Sequence, residues 1–153
     1  MQLEKIISKN PLFYIFVFPA VVDMLLTVIG QDEAYWQSFK NVNEASPAYI
    51  ILVVSPFLFL GLSVLWLGFW FWFVKNFNNF LGLFVSLLFL VAHSWGSSTW
   101  IRKWIYQNFD SSVSLTRLDI TIGWLGIIAY FALCAAISTY ALLVYAKNTN
   151  RNQ

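Results

Sequence analysis

The chain has 153 residues, of which 59% are hydrophobic and 10% are charged, and its net charge is +2. Soluble domains carry about 25% charged residues, because charge keeps their surfaces hydrated. The positive charges are scattered and form no basic stripe, which excludes a nucleic-acid-binding protein. The composition is that of an integral membrane protein, and the lipid bilayer is its first predicted partner.

Four windows of the chain are long and apolar enough to cross a bilayer, whose ~30 Å hydrocarbon core requires roughly 20 residues of helix. They comprise residues 11–30, 49–74, 80–101 and 120–146. Because they take up most of the chain, residues 1–153 are predicted to form a single integral membrane domain. The predicted fold class is an all-α membrane protein, with four transmembrane helices in an antiparallel bundle and both termini on one side.

The first window follows two lysines, as the apolar region of a signal peptide would. Asp23 interrupts its apolar run, however, and no convincing pair of small residues precedes Gln31. A retained helix is therefore predicted.

The second window follows a polar connection that ends in Ser46–Pro47, a pair that favours a helix start. Pro56 is predicted to kink or tilt the helix that follows. Residues 75–79 predict a tight turn, which makes the second and third spans an antiparallel hairpin. Residues 102–119 predict a polar connection that lies partly on the membrane surface.

The lysines and arginines slightly favour the side that holds the termini. Five of them fall on that side and four on the other, the latter being Lys40, Arg102, Lys103 and Arg117. The positive-inside rule then predicts that the termini are cytoplasmic.

Only two ionisable side chains lie deep in the predicted spans, Asp23 and His93. Asp23 is twelve residues past Pro11 and His93 thirteen residues past Phe80, which places them at ~18 Å and ~20 Å from the same membrane side. A charged side chain inside a span costs roughly 2.5–3.5 kcal/mol, so each needs a reason to be there. We therefore expect the two to face each other inside the bundle.

Small and polar neighbours support this contact. Pro19, Asp23 and Thr27 share one helix face, so the Thr27 hydroxyl can bond near the carboxylate. In the third span, small or polar residues that allow close helix approach lie along one stripe: Gly82, Ser86, His93 and Ser97. Glu44, before the second span, can reach toward the pair from the same side.

Four interpretations of this cluster are open. Asp23, Glu44 and His93 are suitable ligands for a divalent cation such as zinc or manganese. An Asp–His pair can also relay a proton or another ion. Ser97 lies four residues after His93, which allows a Ser–His dyad, although no protease signature surrounds it. In the fourth interpretation, the pair only fixes helix packing.

The fourth span carries a stripe of mostly small residues, formed by Gly123, Gly126, Tyr130 and Cys134. Such a stripe is typical of helix packing, and it could also serve a homo- or hetero-oligomer. Cys134 is the single cysteine, so it has no partner for an intrachain disulfide.

The sequence Asp23-x3-Thr27, followed by Glu44-Ala45-Ser46-Pro47, resembles a family of small prokaryotic membrane proteins of unknown function. The signature of that family is Asp-x3-Thr and then Glu-Ala-Asn-Pro before the next helix, and Ser46 stands where asparagine is usual. The resemblance covers the first third of the chain. It implies a common helical-hairpin core and a shared role for Asp23, Thr27 and Glu44, but no activity. The predicted location is the cytoplasmic membrane of a prokaryote.

These observations lead to three functional hypotheses. The first is a binding or transport module that uses Asp23, Thr27, Glu44, His93 and Ser97 for a cation or a proton. The second is a non-catalytic structural or assembly subunit of a larger membrane complex. The third is an intramembrane metal-dependent hydrolase.

Overall fold

The computed structural model of the protein describes residues 2–77, 79–107 and 116–151. These residues form seven α-helices and one short 3-10 turn, and they contain no β-strand. The helices are α1 (Gln2–Ile7), α2 (Pro11–Ile29), α3 (Glu33–Gln37), α4 (Tyr49–Leu52), α5 (Pro56–Asn76), α6 (Phe80–Gln107) and α7 (Arg117–Arg151). By length and composition, α2, α5, α6 and α7 can each cross a membrane. The prediction of an all-helical fold with four long apolar helices is confirmed.

Helix α2 is the central element of the fold. Pro11 occupies its first turn, where the missing N–H costs no hydrogen bond. It packs against α5, α6 and α7, and it buries a larger share of its residues than the other three long helices. The first predicted span therefore forms the core around which the other spans are arranged.

The second predicted span is divided into two helices. The short α4 ends at Leu52, and α5 begins at Pro56. Ser55 has an extended backbone, and its hydroxyl accepts hydrogen bonds from the N–H groups of Phe57 and Leu58. A helix does begin at Tyr49, after Ser46–Pro47, but the prediction that it is continuous to residue 74 is wrong. The chain leaves the helix directly before Pro56, and Ser55–Pro56 starts the long helix.

The third and fourth long helices extend beyond the predicted spans. Helix α6 continues to Gln107, and α7 runs from Arg117 to Arg151. The predicted connection 102–119 is therefore helical at both ends, and its centre, residues 108–115, lies outside the described residues. Helices α5 and α6 are joined by the predicted short turn, where the side-chain oxygen of Asn79 accepts from the N–H groups of Leu81 and Gly82.

Apolar packing is continuous in the half of the bundle that contains α1. Its core consists of buried residues from α1, α2, α5 and α7, namely Ile7, Leu12, Ile15, Phe16, Ala20, Val74, Ala141 and Val144. Two polar contacts fix the helices there: Ser138 donates to the Ile15 carbonyl at 2.7 Å, and Asn10 donates to the Phe71 carbonyl at 2.8 Å. Apolar and polar contacts thus join α1, α2, α5 and α7 in this half of the bundle.

Both ends of the described chain lie at this same end of the bundle. The Lys147 ammonium lies 2.8 Å from Glu4 Oε1, and Asn148 donates to the Ser8 carbonyl. A second, smaller apolar cluster, formed by Val28, Tyr35, Leu52 and Phe59, lies in the other half. Along the bundle, Asp23 and His93 lie between these two apolar clusters.

Candidate functional site

A cavity of about 790 Å³ opens in the half of the bundle away from α1. Its walls come from α2, α4, α5, α6 and residues 44–48. Small-molecule sites in proteins usually have volumes of about 300–1,000 Å³, so the cavity can accept an organic molecule or a hydrated ion. Asp23, Thr27, Glu44 and His93 all line it.

The predicted contact between Asp23 and His93 is present. His93 Nδ1 lies 2.8 Å from Asp23 Oδ2, and the two side chains are 18% and 19% exposed, respectively. An ionised carboxylate only accepts hydrogen bonds, so Nδ1–H is the donor when Asp23 is charged. With His93 neutral, the pair carries one negative charge, and with His93 protonated it carries none.

Gly96 provides the room for the Asp23 carboxylate. A Cβ atom at position 96 would lie 2.6 Å from Asp23 Oδ1 and 2.9 Å from Oδ2. Because Gly96 is less than one helical turn from His93, the same part of α6 supplies both the hydrogen-bond donor and the space for the acceptor.

Aromatic rings from α5 and α6 pack against the imidazole of His93. The Trp66 ring meets the His93 ring edge-on with centroids 5.2 Å apart, and the Phe89 centroid lies 6.0 Å away. The rings limit the movement of the imidazole and keep part of its surroundings apolar, which strengthens the electrostatic contact with Asp23.

Glu44 and Thr27 complete the polar part of the cavity. Glu44 Oε1 accepts from the backbone N–H of Ser46 at 2.8 Å, which holds the carboxylate on the loop before α4. Thr27 is buried on the α2 wall, one turn after Asp23. Among the described residues, no three His, Cys, Asp or Glu side chains are grouped closely enough to hold a metal ion. Asp23, Glu44 and His93 thus share a cavity without forming a three-ligand set.

Ser97 is not part of the cavity lining and does not form the suggested dyad. Its hydroxyl is bonded to the backbone carbonyl of His93 and to the Tyr130 hydroxyl, not to the imidazole. Since Ser97 donates to the carbonyl, Tyr130 on α7 donates to Ser97. Ser97 therefore ties α6 to α7 behind His93, and its assignment to the binding set is corrected.

The residues around the cavity carry negative rather than positive charge. Its lining contains Asp23 and Glu44 but no lysine or arginine from the described residues. Lys103, near its polar end, donates to the Gly30 carbonyl at 3.0 Å and pairs with Asp32 at 2.9 Å. Lys103 is thus held by the end of α2 and the loop after it.

The predicted small-residue stripe of α7 faces the rest of the chain. Gly123 is buried, Cys134 is 2% exposed, and a Cβ at Gly126 would lie 3.2 Å from Ile105 Cδ1. Large apolar side chains lie exposed elsewhere on α7, among them Trp124, Leu125 and Ile128. The stripe thus serves packing within the chain, and oligomerisation through α7 stays a prediction.

Three residues that shape the site were not predicted from the sequence to belong to it: Gly96, Trp66 and Tyr130. Gly96 and Trp66 contact the pair only because α2, α5 and α6 converge, which no local pattern reveals. Tyr130 belongs to the small-residue stripe of α7, and a tyrosine among small residues was the available signal. Its hydroxyl needs a partner when buried among helices, and Ser97 is that partner.

Comparison of the chain with family models, with curated proteins and with solved structures finds no match.

Proposed function

We propose that the chain is a multi-pass protein of the cytoplasmic membrane of a prokaryote, with α2, α5, α6 and α7 as its spans and its termini in the cytoplasm. Large apolar side chains exposed on the outside of these helices support this placement, including Phe57, Val64, Leu65, Phe80 and Val91. Soluble monomers rarely expose apolar patches of more than a few hundred Å², whereas a bilayer covers such a surface. Lys5, Lys9, Lys75 and Lys147 fall at the proposed cytoplasmic end.

Within that membrane, we propose that the protein is a binding module whose Asp23–His93 pair holds a positive charge, either a cation or a proton. The observation that carries this proposal is the 2.8 Å contact on the wall of an acidic cavity. While His93 is neutral, the pair retains one uncompensated negative charge in an apolar bundle, which is unfavourable. A cation in the cavity or a proton on His93 removes that charge.

The two ways of neutralising the pair exclude each other. A proton on His93 and a cation beside Asp23 would be two positive charges at one carboxylate, and such charges repel each other. Other groups near the pair are Glu44 from the loop and Tyr130 from α7. This competition is the feature that a transport module would use to exchange one positive charge for another.

The family resemblance is a further part of the proposal. All three residues of the signature that carry its shared role, Asp23, Thr27 and Glu44, line the same cavity. A common cation-binding role would account for the type and spacing of these residues.

Equilibrium binding of radiolabelled sodium and methylammonium to the purified protein in an uncharged detergent tests the function. Saturable binding that weakens as the pH is lowered is expected, and Asp23→Asn should reduce the affinity by about tenfold or more. Glu33→Gln is the matched control, because Glu33 is an exposed carboxylate that does not line the cavity. Binding that is absent in the wild type, or unchanged in Asp23→Asn, would contradict the proposal.

A further inference from the structure

The walls of the cavity are aromatic and apolar around its two carboxylates. Five aromatic side chains line it, namely Phe59, Trp66, Phe89, Trp95 and Trp100. The faces of such rings are negative and attract organic cations, most strongly in tryptophan. A small inorganic ion does not need this much apolar surface, because it is held by oxygen ligands and water.

The cavity lies between α5 and α6, away from the turn that joins them. The two helices are joined at the turn before Phe80, and the ring contacts between them include Trp70 with Phe89 at 4.7 Å and Trp66 with His93 at 5.2 Å. Beyond Trp66, the facing residues of both helices line the cavity, with Phe59, Leu62 and Ser63 from α5 and Gly96, Thr99 and Trp100 from α6.

Several side chains in this part of the lining are exposed. Leu62 is 40% exposed and Trp95 is 69% exposed, although both line the cavity. Ala92 and Thr99 of the lining are exposed as well. A molecule within the bilayer can therefore reach the cavity sideways between α5 and α6.

From these observations we infer that the cavity binds an amphipathic organic ammonium, with its positive group at Asp23 and its apolar body between α5 and α6. This inference rests on the proposed function and names the class of cation. The carboxylates of Asp23 and Glu44 supply the counter-charge, the rings supply cation–π and apolar contacts, and the lateral opening admits an apolar tail. The ammonium belongs either to a free amphipathic amine or to the headgroup of a phospholipid such as phosphatidylethanolamine.

The test uses benzyltrimethylammonium and its uncharged isostere 2,2-dimethylpropylbenzene, added to the full chain in dodecyl maltoside, with binding measured by saturation-transfer NMR. The charged probe should bind about tenfold more tightly than the neutral one, and Asp23→Asn should remove that preference. Equal binding of the two probes to the wild type would overturn the inference, since the cavity would then recognise only apolar surface.

A second pair of variants keeps the test independent of the Asp23–His93 contact. Trp95→Leu should weaken binding of the charged probe severalfold, while Trp72→Leu should not. Both tryptophans are largely exposed, at 69% and 56%, but only Trp95 lines the cavity. Equal effects of the two substitutions would also count against the inference.

Two lipid arms identify the source of the ammonium. Displacement of the probe by short-chain phosphatidylethanolamine, but not by phosphatidylglycerol, indicates a lipid headgroup, and displacement by neither lipid indicates a free amine. Displacement by both lipids alike would contradict recognition of an ammonium.

The inorganic-cation assay separates this inference from the proposed function. If sodium binds in an Asp23-dependent manner and benzyltrimethylammonium does not bind, the inference is wrong and the cation site stands. If neither ion binds, both fail.

Discussion

Asp23 and His93 are each unfavourable in an apolar helix bundle, and each provides the partner that the other requires. The 2.8 Å contact satisfies one oxygen of the carboxylate and one nitrogen of the imidazole. Both side chains are mostly buried, so the loss of either leaves the other with an unpaired polar group. Their contribution to stability is therefore coupled.

This coupling can be measured with a double-mutant cycle. Asp23→Asn and His93→Ala should each destabilise the protein, by ~0.6 kcal/mol if water enters the cavity and by ~3–5 kcal/mol for a dry pair. The double variant should lose less than the sum of the two single losses. Unfolding in detergent measures all four free energies. Strictly additive losses would show that the two side chains do not interact in the folded protein.

Gly96 gives a second prediction at the residue scale. Gly96→Ala places a Cβ within 3 Å of both Asp23 oxygens and should destabilise the protein by ~1–3 kcal/mol, as overpacking generally does. Gly61→Ala is the matched control, since a Cβ at position 61 of α5 has no neighbour within 4 Å. It should be neutral or stabilising by up to ~1 kcal/mol, because alanine favours helix.

The effect of Gly96→Ala should also depend on Asp23. In an Asp23→Ala background the carboxylate is gone, so the alanine at position 96 should cost much less. Thermal unfolding of the wild type, the two single variants and the double variant gives the loss of stability caused by Gly96→Ala with and without the Asp23 carboxylate. An undiminished cost in that background would mean that Gly96 is needed for some other contact.

At the scale of elements, the break between α4 and α5 determines where the second long helix begins. Ser55 accepts from two backbone N–H groups at 3.2 and 3.4 Å, whereas the Ser46 hydroxyl accepts only from Ala48, at 3.3 Å. Ser55→Ala should therefore cost ~0.5–2 kcal/mol of unfolding free energy. Ser46→Ala should cost less, because it precedes a helix of only four residues. A larger loss of unfolding free energy in Ser46→Ala than in Ser55→Ala would show that Ser46, and not Ser55, is the more important helix cap.

The loop helix α3 is attached to α4 through Tyr35. This tyrosine is fully buried, and its hydroxyl donates to the Leu52 carbonyl at 3.0 Å. Burial raises the pKa of Tyr35 above its ordinary value of 10.0, because the charged phenolate is poorly solvated there. The buried Tyr35 hydroxyl therefore contributes fully to the free energy of unfolding at a pH below the ordinary pKa of 10.0. This contribution is lost as the pH rises through the raised pKa of the folded state.

Tyr35→Phe should remove this pH dependence. At neutral pH the substitution should cost ~1–3 kcal/mol, since it leaves a buried carbonyl without its donor. The difference in Tm between wild type and variant should shrink above about pH 10. Tyr49→Phe, at a half-exposed position in α4, is the control. A Tm difference that stays constant from about pH 8 to about pH 11 would contradict the assigned sign.

The four long helices were predictable from the sequence because long apolar windows depend on composition alone. The contact of Asp23 with His93 was predictable from helical rise, since equal distance from one membrane side places two residues at one level. The helix start at Ser55 was not predicted, because Ser46–Pro47 and Ser55–Pro56 are the same local signal. The direction of the Ser97 hydroxyl and the aromatic walls depend on how the helices cross, which spacing along one helix does not specify.

At the scale of the whole molecule, packing and polarity are unevenly distributed along the bundle. The half that contains α1 is filled by apolar side chains and joined by the Glu4–Lys147 ion pair. The other half contains the cavity and the acidic loop residues. The packed half thus supports α2 and α6 at the level of Asp23 and His93, while the half that contains the cavity gives access to the pair. In the proposed membrane arrangement, the two halves face opposite sides of the bilayer.

Single-cysteine labelling tests that orientation. In a Cys134→Ser background, cysteines at Lys9, Asn76 and Asn150 should react with a membrane-impermeant reagent only from the cytoplasmic side, because α2, α5, α6 and α7 would each cross the bilayer once. A cysteine at Lys40, on the loop before α4, should react only from outside. Cys134 is the single cysteine of the chain, so its replacement by serine removes background labelling. Because it is 2% exposed, the substitution leaves the surface of the protein unchanged. Labelling of any of the first three positions from the side that labels position 40 would contradict the four-span arrangement.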